Sequence, residues 1–143
     1  MGIIRHAGFT LLELLIALII VGMLLIFAIP VYIDYTERAK VSTGIYLAAA
    51  AKQAVSEHHV VFNEFPDNNS NAGITSPEEI ASQYVQSVGI TQIPAPGTIL
   101  ITYKGSSRID EGATVLLVPT DNIGSIAWNC ISTLQSLLPP SCR

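Results

Sequence analysis

Twenty consecutive residues, Leu14 to Ile33, carry no charge, and Glu13 and Asp34 bound them. At about 1.5 Å rise per residue a helix of that length spans roughly 30 Å, the thickness of a bilayer's hydrocarbon core. The stretch is apolar on every side, which excludes an amphipathic surface helix. Beyond Tyr35 the pattern changes: Val41, Ile45, Ala48, Lys52 and Val55 recur at helical spacing, and Ala49 and Ala51 are good helix formers. The spacing predicts one helix from about Phe9 to His58 or Val61, apolar all round in its first half and amphipathic in its second. Gly22 lowers helix propensity, and Pro30 removes a backbone hydrogen bond and crowds the preceding turn, so a kink is expected at Pro30. Tyr32 and Tyr35 arrive beside Asp34, Glu37, Arg38 and Lys40, as amphipathic rings do at a membrane interface. Lys52 interrupts the apolar stripe, where its long stem can snorkel.

Residues 62–97 read as connection. Pro66 to Gly73 is polar turn material. Ser76-Pro77-Glu78-Glu79 has proline and acids in a first turn, which predicts a short helix to about Tyr84. Tyr84 to Val88 alternates and reads as strand-like or extended. Three strand patterns follow Pro94-Ala95-Pro96-Gly97: Thr98–Tyr103, Ala113–Val118 and Ser125–Asn129, with turn residues between them. Sequential strands predict an antiparallel meander with its inner face on the helix. The fold class is therefore α+β. Pro139-Pro140 predicts an extended return of the chain toward Cys130.

Glu13 is the feature that a plain membrane anchor leaves unexplained. A carboxylate inside an apolar helix is costly without a partner, and no Lys, Arg or His lies between Phe9 and Asp34. A cut after Gly8 would create one, because the new amine of Phe9 stands four residues before Glu13. An ordinary secretory signal does not fit either, since no A-x-A pattern follows the apolar core.

Arg5-His6-Ala7-Gly8 followed by Phe9-Thr10-Leu11-Leu12-Glu13 resembles the class III signal of type IV pilins. The tail, Trp128-Asn129-Cys130 and Leu137-Leu138-Pro139-Pro140-Ser141-Cys142, is similar to the disulfide-bounded end of type IVa pilins. Asn71-Ala72-Gly73-Ile74 and Tyr84 to Val88 resemble that family's central segment. The resemblance implies a leader 1–8 cleaved after Gly8 by a prepilin peptidase, with N-methylation of Phe9. It implies an assembly half, 9–33, in which Gly22 to Pro30 loses helical order on polymerisation, and a head, 34–143. The head divides into a half-helix 34–61, a connecting loop 62–97, and a sheet and disulfide region 98–143. Glu13 and Phe9 are the implied assembly pair between copies.

The partners implied are further copies of the chain, the peptidase, an assembly platform in the inner membrane, and membrane lipid before assembly. The location is the inner membrane with the head in the periplasm, then an extracellular pilus serving adhesion, twitching motility or DNA uptake. A minor pilin acting as a tip adhesin or DNA-uptake receptor is the alternative, and only the head separates the two.

Two cysteines, Cys130 and Cys142, occur twelve positions apart, which is not redox C-x-x-C spacing, and no nearby His suggests zinc. Beyond a membrane, in an oxidising compartment, they are expected to pair; two free buried thiols are the alternative for a cytosolic chain. His58-His59 is a poor chelate, because adjacent helical side chains diverge. Asn68-Asn69-Ser70 matches a glycosylation sequon by chance in a chain with a bacterial-type leader.

The mean hydropathy of +0.48 comes mostly from the first helix. Net charge is −4, and removing Arg5 with the leader leaves six Lys+Arg against eleven Asp+Glu, about −5. That balance does not indicate nucleic acid as a partner. Lys104, Arg108 and Arg143 are the few head cations, read as a solvated scatter rather than a basic patch. No catalytic frame, phosphate loop, metal cluster or cofactor motif is recognised, and no enzymatic role is expected.

Overall fold

The computed structural model describes residues 8–122 and 124–142, so most of the leader (1–7) and Arg143 lie outside the described residues. Two compact units divide the chain, the first ending at Tyr35 and the second beginning at Thr36.

The first unit is helical. Helix α1, Leu11–Leu47, starts within it and continues through both Gly22 and Pro30. Thr10 caps its first turn: the Thr10 Oγ1 accepts from the Glu13 backbone N–H at 3.2 Å, and the Thr10 carbonyl accepts from Leu14 at 3.2 Å. The apolar window of this helix has a mean hydropathy of 3.1 and none of it is buried within the chain. Its large side chains face outward along their whole length, from Phe9 to Tyr35.

The second unit holds the core. Helix α2, Ala49–Phe62, follows α1 almost without interruption. At the junction Ala48 donates to the Gly44 carbonyl at 3.0 Å and accepts from Lys52 at 2.9 Å, so the ladder is kept. Asn63 ends α2 in the left-handed region, φ 56°, with its N–H on the His59 carbonyl at 2.8 Å. Four strands, β1 (Val85–Thr91), β2 (Thr98–Tyr103), β3 (Thr114–Asn122) and β4 (Ser125–Ser132), form an antiparallel sheet in the order β1-β2-β3-β4. Val88 faces Ile101, Ile101 faces Val115, and Leu117 faces Cys130 across the ladders. The period-two alternation sends Val88, Ile99, Ile101, Tyr103, Val115 and Leu117 inward, and an irregularity in the β1–β2 register between Val85 and Ser87 brings Val85 to the same face. Val41, Ala48, Ala51 and Val55 meet them from the helix, and Leu134, Leu137 and Leu138 close the core from the tail.

The α+β architecture and the meander are as expected, with three differences. The sheet has a fourth strand: β1 lies inside the expected connection 62–97 and extends well past Val88. The predicted short helix after Ser76 is a turn, with Glu79 N–H on the Ser76 carbonyl at 3.1 Å. Its continuation is prevented because the Pro77 carbonyl accepts from Val88 in β1 at 3.1 Å and Ser82 donates to Val85 at 3.0 Å. Sheet edge wins over local propensity there. Pro139-Pro140 does not give an extended return; Pro140–Cys142 is a 3-10 turn, with Cys142 donating to the Pro139 carbonyl at 2.9 Å.

Candidate assembly site and its supporting head

Gly8, Phe9 and Glu13 stand at the open end of α1. All three are exposed, and a side chain at Gly8 would meet nothing within 4 Å. Gly8, where the resemblance implies a cut, thus has room around it among the described residues. Glu13 occupies the third position of the helix behind the Thr10 cap, in the arrangement S/T-x-x-E that places a carboxylate against the orphan N–H groups of a first turn. The helix dipole favours an anion at that place. The spacing of Thr10 and Glu13 in the sequence carries the signal for this local support. Downstream, Leu24, Phe27, Ala28, Val31, Tyr32 and Tyr35 line a shallow apolar depression. Gly22 leaves open space around it, and Pro30 sits inside the helix. The geometry of this half is a continuous greasy cylinder with one carboxylate near its tip.

A second carboxylate, Glu37, is the residue that sequence reasoning passed over. It is only 1 % exposed. Lys40 Nζ lies 2.7 Å from Oε1, Ser107 donates to Oε1 at 2.8 Å, and Ser106 donates to Oε2. Burial by itself would raise the Glu37 pKa, but the bonds from Lys40, Ser106 and Ser107 and the Lys40 charge together hold it below the ordinary range. The ammonium of Lys40 is also 5.5 Å from the centre of the Tyr84 ring. Glu37 thus ties the helix to the β2–β3 connection, whose Ile109 plugs the core at 2 % exposure.

Tyr103 makes the second tie. Its phenol donates to the Val41 carbonyl at 2.7 Å, and burial pushes its pKa well above the usual range. The ring lies on Gly44, where an added Cβ would come within 2.6 Å of Cε1 and Cζ. Asn69 makes the third: its Nδ2 donates to Thr75 and Val88 carbonyls at 2.8 and 3.3 Å, and its Oδ1 accepts from Ile90 at 2.6 Å. The sequon asparagine, Asn68, accepts from the Asn71 backbone at 2.9 Å.

Cys130 and Cys142 form a disulfide, with Cα atoms 5.3 Å apart. Lys52 snorkels as expected, ending 5.4 Å from the centre of the Trp128 ring, and burial lowers its pKa. His58 and His59 diverge. His58 lies against the Glu64 carbonyl at 3.1 Å, whereas His59 stacks on Phe65 at 4.2 Å and reaches Asp121 at 3.4 Å. Of the scattered head cations, Lys104 donates to the Ser82 carbonyl at 2.8 Å. Among the described residues no group of three or more His, Cys, Asp or Glu is placed to hold a metal ion.

An exposed apolar half-helix joined to a helix-on-sheet head with a terminal disulfide defines a subunit built to pack against others. The chain belongs to the pilin family of bacterial filaments, whose model matches residues 37–143, and residues 4–29 match the prokaryotic N-terminal methylation motif. It is a structural subunit of the type IV pilin kind. A fimbrial protein of Neisseria meningitidis serogroup A is 41 % identical over 125 residues, covering 86 % of this chain and 71 % of that one. Fimbrial protein EcpC of Eikenella corrodens is 38 % identical over 139 residues, 95 % of this chain and 90 % of its own. The type IV major pilin protein PilE1 of Neisseria gonorrhoeae is 39 % identical over 124 residues, 86 % and 74 % of the two chains.

Proposed function

We propose that the chain is stored in the inner membrane through the apolar half of α1, with its head in the periplasm, and is then drawn into an extracellular pilus. A prepilin peptidase cuts after Gly8 and Phe9 is N-methylated. The pilus platform of the inner membrane then moves subunits from lipid into a bundle of their own helices. Lipid and bundle are comparably apolar, so the transfer needs no exposure of the greasy surface to water. Within the bundle Glu13 pairs with the Phe9 amine of a neighbouring copy and sets register. Gly22 and Pro30 are the positions at which the helix gives way to accommodate packing. The subunit acts by building the filament, not by catalysis, and the filament serves surface adhesion, twitching motility or DNA uptake.

The observation that carries this reading is the exposed, uncharged length from Leu14 to Ile33 with one carboxylate just before it. Mass mapping of the mature N terminus tests it. The expected species begins at N-methylated Phe9; an intact Met1, or a cut beyond Pro30, contradicts it.

A further inference from the structure

The head carries two apolar features on its helix that reach the surface. The first is a groove of about 270 Å³ lined by Ser42, Ile45, Tyr46, Ala49, Lys52 and Pro139, with Tyr46 84 % exposed at its rim. The second is the end of α2, where Val60, Val61 and Phe62 are 83 %, 71 % and 62 % exposed. Phe62 is braced by the His58 ring at 4.6 Å. Consecutive helical side chains diverge, so Val60, Val61 and Phe62 make the end of α2 an apolar tip rather than a flat face, and exposed apolar patches mark interaction surfaces.

Fifteen residues separate Tyr46 from Val61, about 22 Å along a helix whose ladder continues through Ala48. The apolar end therefore cannot reach the groove of its own chain. An open helical polymer of one kind of subunit requires a heterologous contact, with two different patches on every copy that fit each other. The charges agree with such a fit: Lys52 lines the groove, and exposed Glu57 and Glu64 flank the apolar end.

We propose that the Val60-Val61-Phe62 end of one head seats in the Tyr46 groove of a neighbouring copy, making a repeating head-to-head contact in the filament. The contact rests on the filament reading above and adds a second interface to the bundle of apolar helices.

Full-length chain carrying Tyr46→Cys and Val61→Cys together, as the sole subunit, tests it. Filaments are sheared, oxidised with copper phenanthroline and run on a non-reducing gel; the two native cysteines are already bonded to each other. The double variant should give a ladder of dimers, trimers and higher species, and each single variant monomer. Monomer alone from double-variant filaments, or dimers from a single variant, overturns the proposal. Val61→Lys provides an arm free of new thiols: filament yield should fall about tenfold or more, as when a charge replaces an interface anchor. Membrane level and cutting after Gly8 should stay unchanged. Unchanged yield overturns the contact while leaving the filament reading intact, whereas absence of filaments from the unaltered chain would overturn that reading itself.

Discussion

Glu13 and Glu37 lie on the same helix and have opposite circumstances. Glu37 is buried and fully answered within its own unit, by Lys40, Ser106 and Ser107. Glu13 is exposed at the tip of an apolar cylinder, and the chain supplies no cationic side chain between Phe9 and Asp34. The same contrast holds for the apolar residues around them. In the head, Val41, Ala48, Ala51 and Val55 are covered by strands and tail, whereas among the described residues the large apolar side chains from Leu14 to Tyr32 stand largely exposed. The difference teaches that the core of the head is satisfied within one molecule and the N-terminal half is not. Its missing partners must come first from lipid and then from other copies.

The comparison can be broken from the head side. Cys142→Ala should cost the head about 2–5 kcal/mol, as native bridges in small secreted domains do. The loss is expected at the upper part of that range, because Leu137 and Leu138 are held in the core beside Cys142. Thermal unfolding of the full chain in detergent measures it, and an unchanged transition would contradict it. Insertion and cutting after Gly8 should be unaffected, since neither depends on the head's core.

Glu37→Ala should destabilise the head by about 2–4 kcal/mol, since it strands the half-buried Lys40 and leaves two serine hydroxyls without their acceptor. Its pH dependence has a definite sign. Because the folded carboxyl titrates below the ordinary value of about 4.3, its stabilisation is fully present above that value and is lost as pH falls through the lower folded one. The unaltered head should therefore lose stability on acidification below about pH 4.3 more steeply than Glu37→Ala. Parallel melting curves for the two would contradict the buried network.

Gly44→Ala is the smallest change, a single methyl. It drives a Cβ into the Tyr103 ring and should cost about 1–3 kcal/mol. A neutral result would show that the ring can move aside without losing its bond to the Val41 carbonyl.

Much of the fold was legible because its signals are local. The uncharged run, the amphipathic continuation of the helix and the strand Thr98–Tyr103 all follow from periodicity. What escaped depends on contacts far apart in sequence. Glu37 with Lys40 at i+3 reads as an ordinary surface pair; its two serines are 69 and 70 residues away. Asn69 sits in a polar run that looks like turn material, yet it pins that run to β1. The acids after Pro77 carry the pattern of a helix start, but only a turn forms, because the backbone a helix would need is committed to the sheet. At the proposed assembly site the residue types can be read from Gly8, Phe9 and Glu13. The Thr10 cap is equally local, a capping residue three positions before Glu13.

The central claim is that Glu13 is answered by another copy. The most direct measurement compares sheared filament yield with membrane level and N-terminal processing for Glu13→Ala and Glu13→Gln against the unaltered chain. Removing a charge from an apolar helix can only ease insertion, so both variants should reach the membrane and be cut after Gly8. Both should nevertheless form few or no filaments, because neither can neutralise the Phe9 amine of a neighbour. Normal filament yield in both variants would contradict the account.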